Sequence, residues 1–182
     1  MKKNSIRRLV ETAVIAAVYT AVSLALSAFS FGAVQIRISE ALTLLPVVTP
    51  LAIPGLTLGC FLSNLLGFVL GMNPLGWLDM IVGTLATLIS AMFTQALGEF
   101  RVKNIPFYSA IPPVLINAAF IGVELTYVLS GGFEPRLLLL NILSVGAGQL
   151  VSCFIVGLPF VCFLEKSGLA GRLFSHGQRP EA

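Results

Sequence analysis

Long apolar stretches separated by short polar breaks dominate the chain. Uncharged runs cover residues 12–36, 41–78, 80–98, 104–123 and 137–164. A transmembrane helix needs about 20 consecutive apolar residues. Four of the runs therefore fit one span each, and the run of 38 residues from 41 to 78 is long enough for two.

Prolines divide that longest run. Pro46, Pro50 and Pro54, followed by Gly55, interrupt it, since proline removes a helix donor and clashes with the preceding turn. The predicted helices cover residues 9–30, 38–49, 54–71, 76–97, 106–129 and 137–164. The second is short, and lipid cannot satisfy its irregular ends, so we expect protein or a polar cavity around it.

Composition agrees with a membrane fold. Hydrophobic residues make up 57% of the 182 positions and charged residues 10%, whereas a soluble domain carries roughly a quarter charged residues. We expect an all-α polytopic protein of the inner or plasma membrane with six transmembrane helices. Residues 1–166 would form the transmembrane domain and residues 167–182 a polar cytoplasmic tail.

Basic residues predict the orientation. With six spans and both termini in the cytoplasm, Arg37 and Arg136 lie outside. The basic residues that then lie inside are Lys2, Lys3, Arg7, Arg8, Arg101, Lys103, Lys166, Arg172 and Arg179. This distribution follows the positive-inside rule, which a five-span model would violate at the C-terminal end.

Costly polar residues concentrate in the outer half of the predicted bundle or near its midplane. They are Gln35, Arg37, Glu40, Asn64, Asp79, Asn117, Glu124, Asn141 and Gln149. Ionisable groups at membrane depth tend to face a cavity and are functional candidates. This asymmetry predicts a ligand pocket reached from outside, in which Trp77 and Tyr127 stack on a flat ligand.

Structural alternatives exist for the same residues. The amides could simply hydrogen-bond one another between helices. Arg37 and Glu40 are three residues apart and could form a local salt bridge. Asp79 could be a capping residue favoured by the helix dipole.

Small residues mark two possible helix contacts. Ala13, Ala17 and Ala21 recur every four residues and place small side chains on one stripe of the first helix. Such a stripe allows close approach either of another helix of the bundle or of a partner membrane protein. Gly55 and Gly59 indicate close packing of the third helix.

Missing motifs argue against an enzyme. The sequence has no G-x-x-x-x-G-K-[ST] loop for nucleotide phosphates, so ATP hydrolysis through that motif would need other subunits. The three cysteines lie in apolar segments without a C-x-x-C pair. We expect no metal, no cofactor and no nucleic-acid partner.

Two segments resemble a known family. They are FGAVQIRISEALTLLPVVTPLAIPGLTLGCFLSNL at residues 31–65 and GWLDMIVGTLATL at residues 76–88. Both are similar to the QueT family of queuosine-precursor transporters, which are substrate-binding S components of energy-coupling factor (ECF) transporters. The similarity covers roughly residues 8–165, and the R-x-S-E-A-L and LGC segments carry most of its specificity.

The resemblance implies a six-helix vitamin-uptake fold with an outward-facing site for a 7-deazaguanine ligand. It also implies a complex, within the membrane lipid, with a transmembrane coupling subunit and two cytoplasmic ATPases. The family's small residues on the first helix face the coupling subunit, so Ala13, Ala17 and Ala21 would be the docking stripe.

The predicted site residues suit a guanine-like ligand. Its ring N–H and exocyclic amine form two parallel donors that one carboxylate can accept together, and Glu124 is our first candidate. Asn117, Asn141 or Gln149 could donate to the ring carbonyl. An aminomethyl substituent would favour a second carboxylate, either Asp79 or Glu40.

Other functions fit the same pattern. An S component for another flat vitamin, such as riboflavin or thiamine, would keep the fold and change the ligand. A stand-alone ion-coupled transporter would use Asp79 or Glu124 to carry a proton or sodium. A structural or assembly protein would use the polar residues only as contacts between helices.

Overall fold

The computed structural model describes residues 3–30 and 36–174. Its α-helices are α1 (Lys3–Ala25), α2 (Ser27–Ser30), α3 (Ala52–Val69), α4 (Trp77–Ala96), α5 (Ile111–Ser130), α6 (Pro135–Leu150), α7 (Leu158–Lys166) and α8 (Leu169–Leu173). A 3-10 helix covers Ile38–Val47, and a π-helical segment, Val151–Gly157, joins α6 to α7. Shorter 3-10 turns follow α4 at Leu97–Glu99 and precede α5 at Phe107–Ala110.

Five helical segments in the described ranges are long and apolar enough to cross a membrane. They are Ser5–Ala25, Ala52–Val69, Trp77–Glu99, Phe107–Ser130 and Pro135–Lys166, with the shorter apolar helix Ile38–Val47 as a sixth element. The all-α, multi-pass prediction is confirmed. The boundaries agree within a few residues, except that the first helix begins at Lys3 rather than at residue 9.

The second predicted helix is wound as a 3-10 helix instead of an α-helix. A 3-10 helix rises about 2.0 Å per residue instead of about 1.5 Å. Its 10 residues therefore extend about 20 Å, a large part of the roughly 30 Å hydrocarbon core. Seven of its residues, including Glu40 and Pro46, are buried, so the expectation that protein surrounds this short helix is confirmed.

Glycines bring α3 directly against α1. A Cβ at Gly55 would lie 2.9 Å from Cβ of Ile15, and a Cβ at Gly59 would lie 2.9 Å from Cβ of Tyr19. Thr20 Oγ1 also donates to the Gly59 carbonyl at 3.1 Å. The predicted close packing is confirmed. Because the contacts advance in the same direction along both helices, α1 and α3 run parallel, and the chain between them must return across the bundle.

The beginning of α1 and the end of α8 lie at the same end of the bundle. Val10 and Glu11 line one groove together with Leu173 and Phe174, and Ala170 is buried in a core cluster that includes Ile15. We call this end the chain-end side and the opposite end the far side. The domain boundary at residue 166 stays a prediction, and the short helix α8 lies within the predicted tail.

Candidate functional site

Most of the predicted site residues meet in the interior of the bundle. Each is at most 5% exposed: Arg37, Glu40, Asn64, Asp79, Asn117, Glu124 and Gln149. We call these seven residues the polar cluster. They come from the 3-10 helix and its first flanking residue, and from α3, α4, α5 and α6, so separate predicted spans converge on one place.

Glu40 lies at the end of the polar cluster nearer the chain-end side, which we call the deep end; the opposite end of the cluster is the far end. The Tyr19 hydroxyl of α1 donates to its Oε1, and Asn117 Nδ2 of α5 donates to its Oε2 at 3.0 Å. Thr43 Oγ1 donates to the Glu40 backbone carbonyl at 2.5 Å. A buried carboxylate is costly unless it is hydrogen-bonded, and both oxygens of this one have a donor. The 3-10 helix is thereby tied to α1 and α5.

Arg37 and Asp79 form an ion pair nearer the far side. Arg37 Nη2 lies 3.1 Å from Asp79 Oδ2, which also accepts from Asn73 Nδ2 at 2.7 Å. Asn73 Oδ1 in turn accepts from the Leu75 N–H at 3.0 Å, and Asn64 Nδ2 donates to the Asp79 carbonyl at 2.8 Å. Asp79 lies in the first turn of α4, where the helix dipole favours a carboxylate.

The placement of Arg37 corrects one sequence expectation. The sequence assigns it to the loop before the second helix, on the outer side of the membrane, with a local salt bridge to Glu40 as the structural alternative to a role in the pocket. Its side chain is instead 6% exposed and pairs with a residue 42 positions away. Removing an ion pair from water costs free energy, so the buried pair of Arg37 and Asp79 is part of how the cluster is built.

Several buried acceptors lack a donor within the described part of the chain. They are Asn64 Oδ1, Asp79 Oδ1 and both carboxylate oxygens of Glu124. Glu124 lies one helical turn beyond Ile121, which lines the central cavity, and it interacts electrostatically with Asp79 and Arg37. An unsatisfied buried polar group costs about 1–3 kcal/mol. These oxygens are therefore the positions at which the cluster can accept further hydrogen bonds.

A small enclosed cavity lies at the centre of the cluster. Its lining residues are Arg37, Glu40, Gly83, Thr87, Asn117, Ile121, Val145 and Gln149. Its volume is about 10 Å³, room for about one water molecule. Gly83 is required at this wall, because a Cβ there would lie 2.5 Å from Asp79 Oδ1 and 2.8 Å from Asn64 Nδ2.

Three of the predicted site residues that the structure describes are not brought into the cluster. Trp77 and Tyr127 are each 62% exposed and are not among the residues that line the cavity. Asn141 is half-buried and donates from Nδ2 to Thr126 Oγ1 at 3.0 Å, a contact between α6 and α5. Gln35 lies outside the described residues.

The sequence prediction missed Tyr19, Asn73 and Thr87. A signal existed for Tyr19, because Ile15, Tyr19 and Ser23 are spaced by four residues and share the buried face of α1. Asn73 lies in a turn between two spans, and its role follows only from the folded position of Asp79. Thr87 falls on the face of Gly83 one turn later, where a single threonine carries little information.

The charges of the cluster define the ligand chemistry that it suits. The cluster holds three carboxyl groups, those of Glu40, Asp79 and Glu124, and the guanidinium of Arg37, which pairs with Asp79. Within the described residues, four of its acceptor oxygens have no donor. A ligand with several N–H donors, and with a positive charge, complements this arrangement because charge-assisted hydrogen bonds are strong when desolvated. Anionic or donor-poor ligands would leave the acceptors unsatisfied.

The fold and this cluster define a multi-pass protein of the plasma membrane with a group of buried polar residues in its interior. The chain belongs to the QueT transporter family, whose family model matches residues 9–166. The resemblance seen in the sequence is therefore confirmed. Over 91 residues the chain is 37% identical to the Queuosine precursor transporter QueT of Lactococcus lactis subsp. cremoris (strain MG1363).

That alignment covers 49% of this chain and 50% of the relative, so the chain spans about half the length of the curated relative that it matches. No solved structure matches the chain.

Proposed function

We propose that this chain binds a 7-deazaguanine precursor of queuosine and delivers it as the substrate-binding S component of an ATP-driven ECF importer. The name of the Lactococcus relative supports the substrate class. The observation that carries the proposal is the set of four buried acceptor oxygens at the far end of the cluster. A guanine-like base supplies the donors that they lack.

The pairing can be written atom by atom. The ring N–H and the adjacent exocyclic amine of a guanine-like base donate to the two oxygens of Glu124, which accept in parallel. An aminomethyl substituent on the five-membered ring carries an ammonium that donates hydrogen bonds to Asp79 Oδ1 and Asn64 Oδ1. Asn117 or Gln149 donates to the ring carbonyl.

A base is larger than the central cavity, so binding requires its wall to move. Two segments beside the cavity are irregularly wound: the 3-10 helix that contains Glu40 and the π-helical segment that begins two residues after Gln149. Such segments are often hinges or functional sites. We infer that the 3-10 helix moves away from α4 to admit the ligand, while α1 and α3 stay packed.

Partner docking and orientation belong to the same proposal. Ala13, Ala17 and Ala21 are all exposed on the outer face of α1, which supports their assignment as the stripe that meets a transmembrane coupling subunit. Two cytoplasmic ATPases would drive that subunit. The basic residues near the chain-end side support our assignment of that side to the cytoplasm, and the polar cluster would then lie towards the outside.

Ligand titration tests the substrate. The purified full chain is titrated with 7-aminomethyl-7-deazaguanine, 7-deazaguanine, riboflavin and thiamine, and thermal unfolding in detergent reports binding. We expect saturable stabilisation by the two deazaguanines, with the aminomethyl compound binding more tightly. Stabilisation by riboflavin or thiamine alone would reject the substrate and retain the class of importer.

Substitution of the stripe tests the partner. Ala17→Trp places a bulky side chain on the docking stripe, and Ala119→Trp on the exposed face of α5 is the matched control. We expect Ala17→Trp to abolish co-purification with a co-expressed coupling subunit and to preserve deazaguanine binding. Equal co-purification of the two variants would remove Ala17 from the interface.

A second candidate is a stand-alone ion-coupled transporter. The buried carboxylate of Glu124, which lacks a hydrogen-bond donor within the described ranges, is also the kind of group that carries a proton. Uptake of labelled 7-deazaguanine into vesicles that contain only this chain, driven by a proton or sodium gradient, would favour this mechanism. No uptake without the ATPases would favour the importer.

A further inference from the structure

An apolar groove runs along α1 on the chain-end side of the bundle. It has a volume of about 360 Å³ and is lined by Val10, Val14 and Val18 of α1, by Leu42 of the 3-10 helix, and by Phe160 and Leu173. A second depression of about 160 Å³ shares Val18, Leu42 and Phe160 and extends to Val22. Because they share these residues, the two form one continuous surface, the α1 groove.

The length of the α1 groove matches one leaflet of a bilayer. Val10 and Val22 are twelve residues apart on an α-helix, which corresponds to about 18 Å at 1.5 Å per residue. One leaflet contributes about 15 Å of the hydrocarbon core. An acyl chain that enters at the chain-end side would therefore be covered along most of its length.

The lining favours a lipid chain over another helix. Close helix–helix packing in membranes uses small residues, and these lie on the neighbouring stripe at Ala13, Ala17 and Ala21. The α1 groove is instead lined mainly by valine, leucine and phenylalanine, which are too bulky for such close approach of another helix. The two faces of α1 therefore differ in the partner that each suits.

Basic residues lie close in sequence to the lining residues at the chain-end opening of the α1 groove. Arg7 and Arg8 precede Val10 by three and two positions, Arg172 directly precedes Leu173, and all three are exposed. Glu11, at the opening, pairs with Arg7 at 3.1 Å. Basic residues at the cytoplasmic end of a groove between helices attract anionic lipid headgroups, and Arg8 and Arg172 are exposed basic residues next to lining residues in the sequence.

We propose that the α1 groove binds an anionic phospholipid, with an acyl chain along Val10, Val14 and Val18 and its phosphate at Arg8 and Arg172. Burial of the acyl chain supplies affinity, and the two guanidinium groups supply selectivity for the headgroup. The site is separate from the polar cluster and does not depend on which base the protein carries.

Native mass spectrometry of the full chain tests the site with two lipids of identical acyl chains, phosphatidylglycerol and phosphatidylcholine. We expect the wild-type chain to retain phosphatidylglycerol about 25-fold more tightly, which is about fivefold for each of the two arginines. The double variant Arg8→Gln/Arg172→Gln should lose about fivefold per basic residue for phosphatidylglycerol and leave phosphatidylcholine unchanged. Raising the salt concentration should weaken the wild-type preference.

Val14→Trp fills the α1 groove, and Val123→Trp, at an exposed position of α5, is its matched control. We expect only Val14→Trp to lose the bound lipid. Equal retention of the two lipids by the wild-type chain would overturn the proposal, as would unchanged lipid binding by Val14→Trp. If Val14→Trp loses a coupling subunit but keeps phosphatidylglycerol, the groove is a protein-docking face.

A folding defect in Val14→Trp would not protect the proposal. The double arginine variant alters exposed residues only, so its phosphatidylglycerol preference must still fall. Deazaguanine binding by both variants gives an independent measure of the folded state. A double variant that keeps the full preference overturns the proposed headgroup site.

Discussion

Glu40 and Glu124 are both buried carboxylates of the polar cluster, but their surroundings are opposite. Glu40 accepts from Tyr19 and Asn117, one donor for each oxygen. Glu124 has no donor for either oxygen within the described ranges. The deep end of the cluster is therefore complete as it stands, whereas the far end carries acceptors beyond what the described residues satisfy.

This difference separates structural polar groups from groups reserved for a ligand. A satisfied buried network specifies how helices pack, since each member costs free energy when its partner is lost. Unsatisfied acceptors destabilise the fold unless another molecule supplies donors. We therefore expect variants of the satisfied groups, namely Tyr19, Glu40 and the Arg37–Asp79 pair, to change stability, and variants of the unsatisfied Glu124 to change affinity.

The largest effect is expected from Arg37, which balances the far end. Arg37→Leu leaves Asp79 buried without its cation and should reduce the free energy of unfolding by about 3–5 kcal/mol, measured by thermal and denaturant unfolding in detergent. The exposed Arg136→Leu is the control and should stay within about 0.5 kcal/mol. The double variant Arg37→Leu/Asp79→Leu should recover most of the loss. If Arg37→Leu lowered the free energy of unfolding as little as Arg136→Leu does, the buried pair would be contradicted.

Glu124 should control affinity instead of stability. Glu124→Gln removes one charged acceptor, a loss of about 1.5–3 kcal/mol for a charge-assisted hydrogen bond, or roughly ten- to hundredfold in the Kd for 7-aminomethyl-7-deazaguanine. Stability without ligand should be unchanged or higher, because an unpaired buried charge is removed. Lower stability with unchanged affinity would reverse the comparison.

Tyr19 tests the deep end. Tyr19→Phe removes the donor to Glu40 Oε1 and should reduce the free energy of unfolding by about 1–3 kcal/mol, while the Kd changes by no more than about twofold. The exposed Tyr127→Phe provides the same chemical change without the partner and should leave stability unchanged. A Tyr19 variant with wild-type stability and weakened binding would place Tyr19 among the ligand contacts.

The smallest effect is expected at Trp77. Its side chain is 62% exposed, so Trp77→Ala should change stability by no more than about 0.5 kcal/mol and leave the Kd unchanged. Calorimetric titration with 7-aminomethyl-7-deazaguanine measures this. A tenfold weaker Kd would support the prediction from the sequence that Trp77 stacks on the ring. It would also mean that the first turn of α4 lies closer to the ligand in the bound state than in this structure.

The sequence predicted the spans because membrane burial acts on whole segments. Runs of uncharged residues and the prolines at 46, 50 and 54 were sufficient to separate the short second helix from α3. The 3-10 winding of that helix was not predictable, because hydropathy reports burial and carries no information about helical rise. In the folded chain this helix packs directly on the π-helical segment, with the Ala41 carbonyl 2.9 Å from where a Cβ on Gly157 would lie.

The candidate site was predicted through its charges and missed through its neutral partners. Arg37, Glu40, Asp79 and Glu124 are conspicuous because charge at membrane depth is costly. Their pairing was not predictable, since Arg37 has a carboxylate three residues away in sequence and bonds to one on another helix. Tyr19 resembles ordinary core until Glu40 is placed against it.

The 3-10 helix is also longer than an α-helix of the same residues would be. Rewinding its 10 residues as an α-helix would shorten them from about 20 Å to about 15 Å. Such a change would draw Arg37 about 5 Å along the bundle axis relative to Pro46. That displacement is close to the rise of one α-helical turn and exceeds the 3.1 Å between Arg37 Nη2 and Asp79 Oδ2. A single change of helical pitch is therefore long enough to uncouple the ion pair.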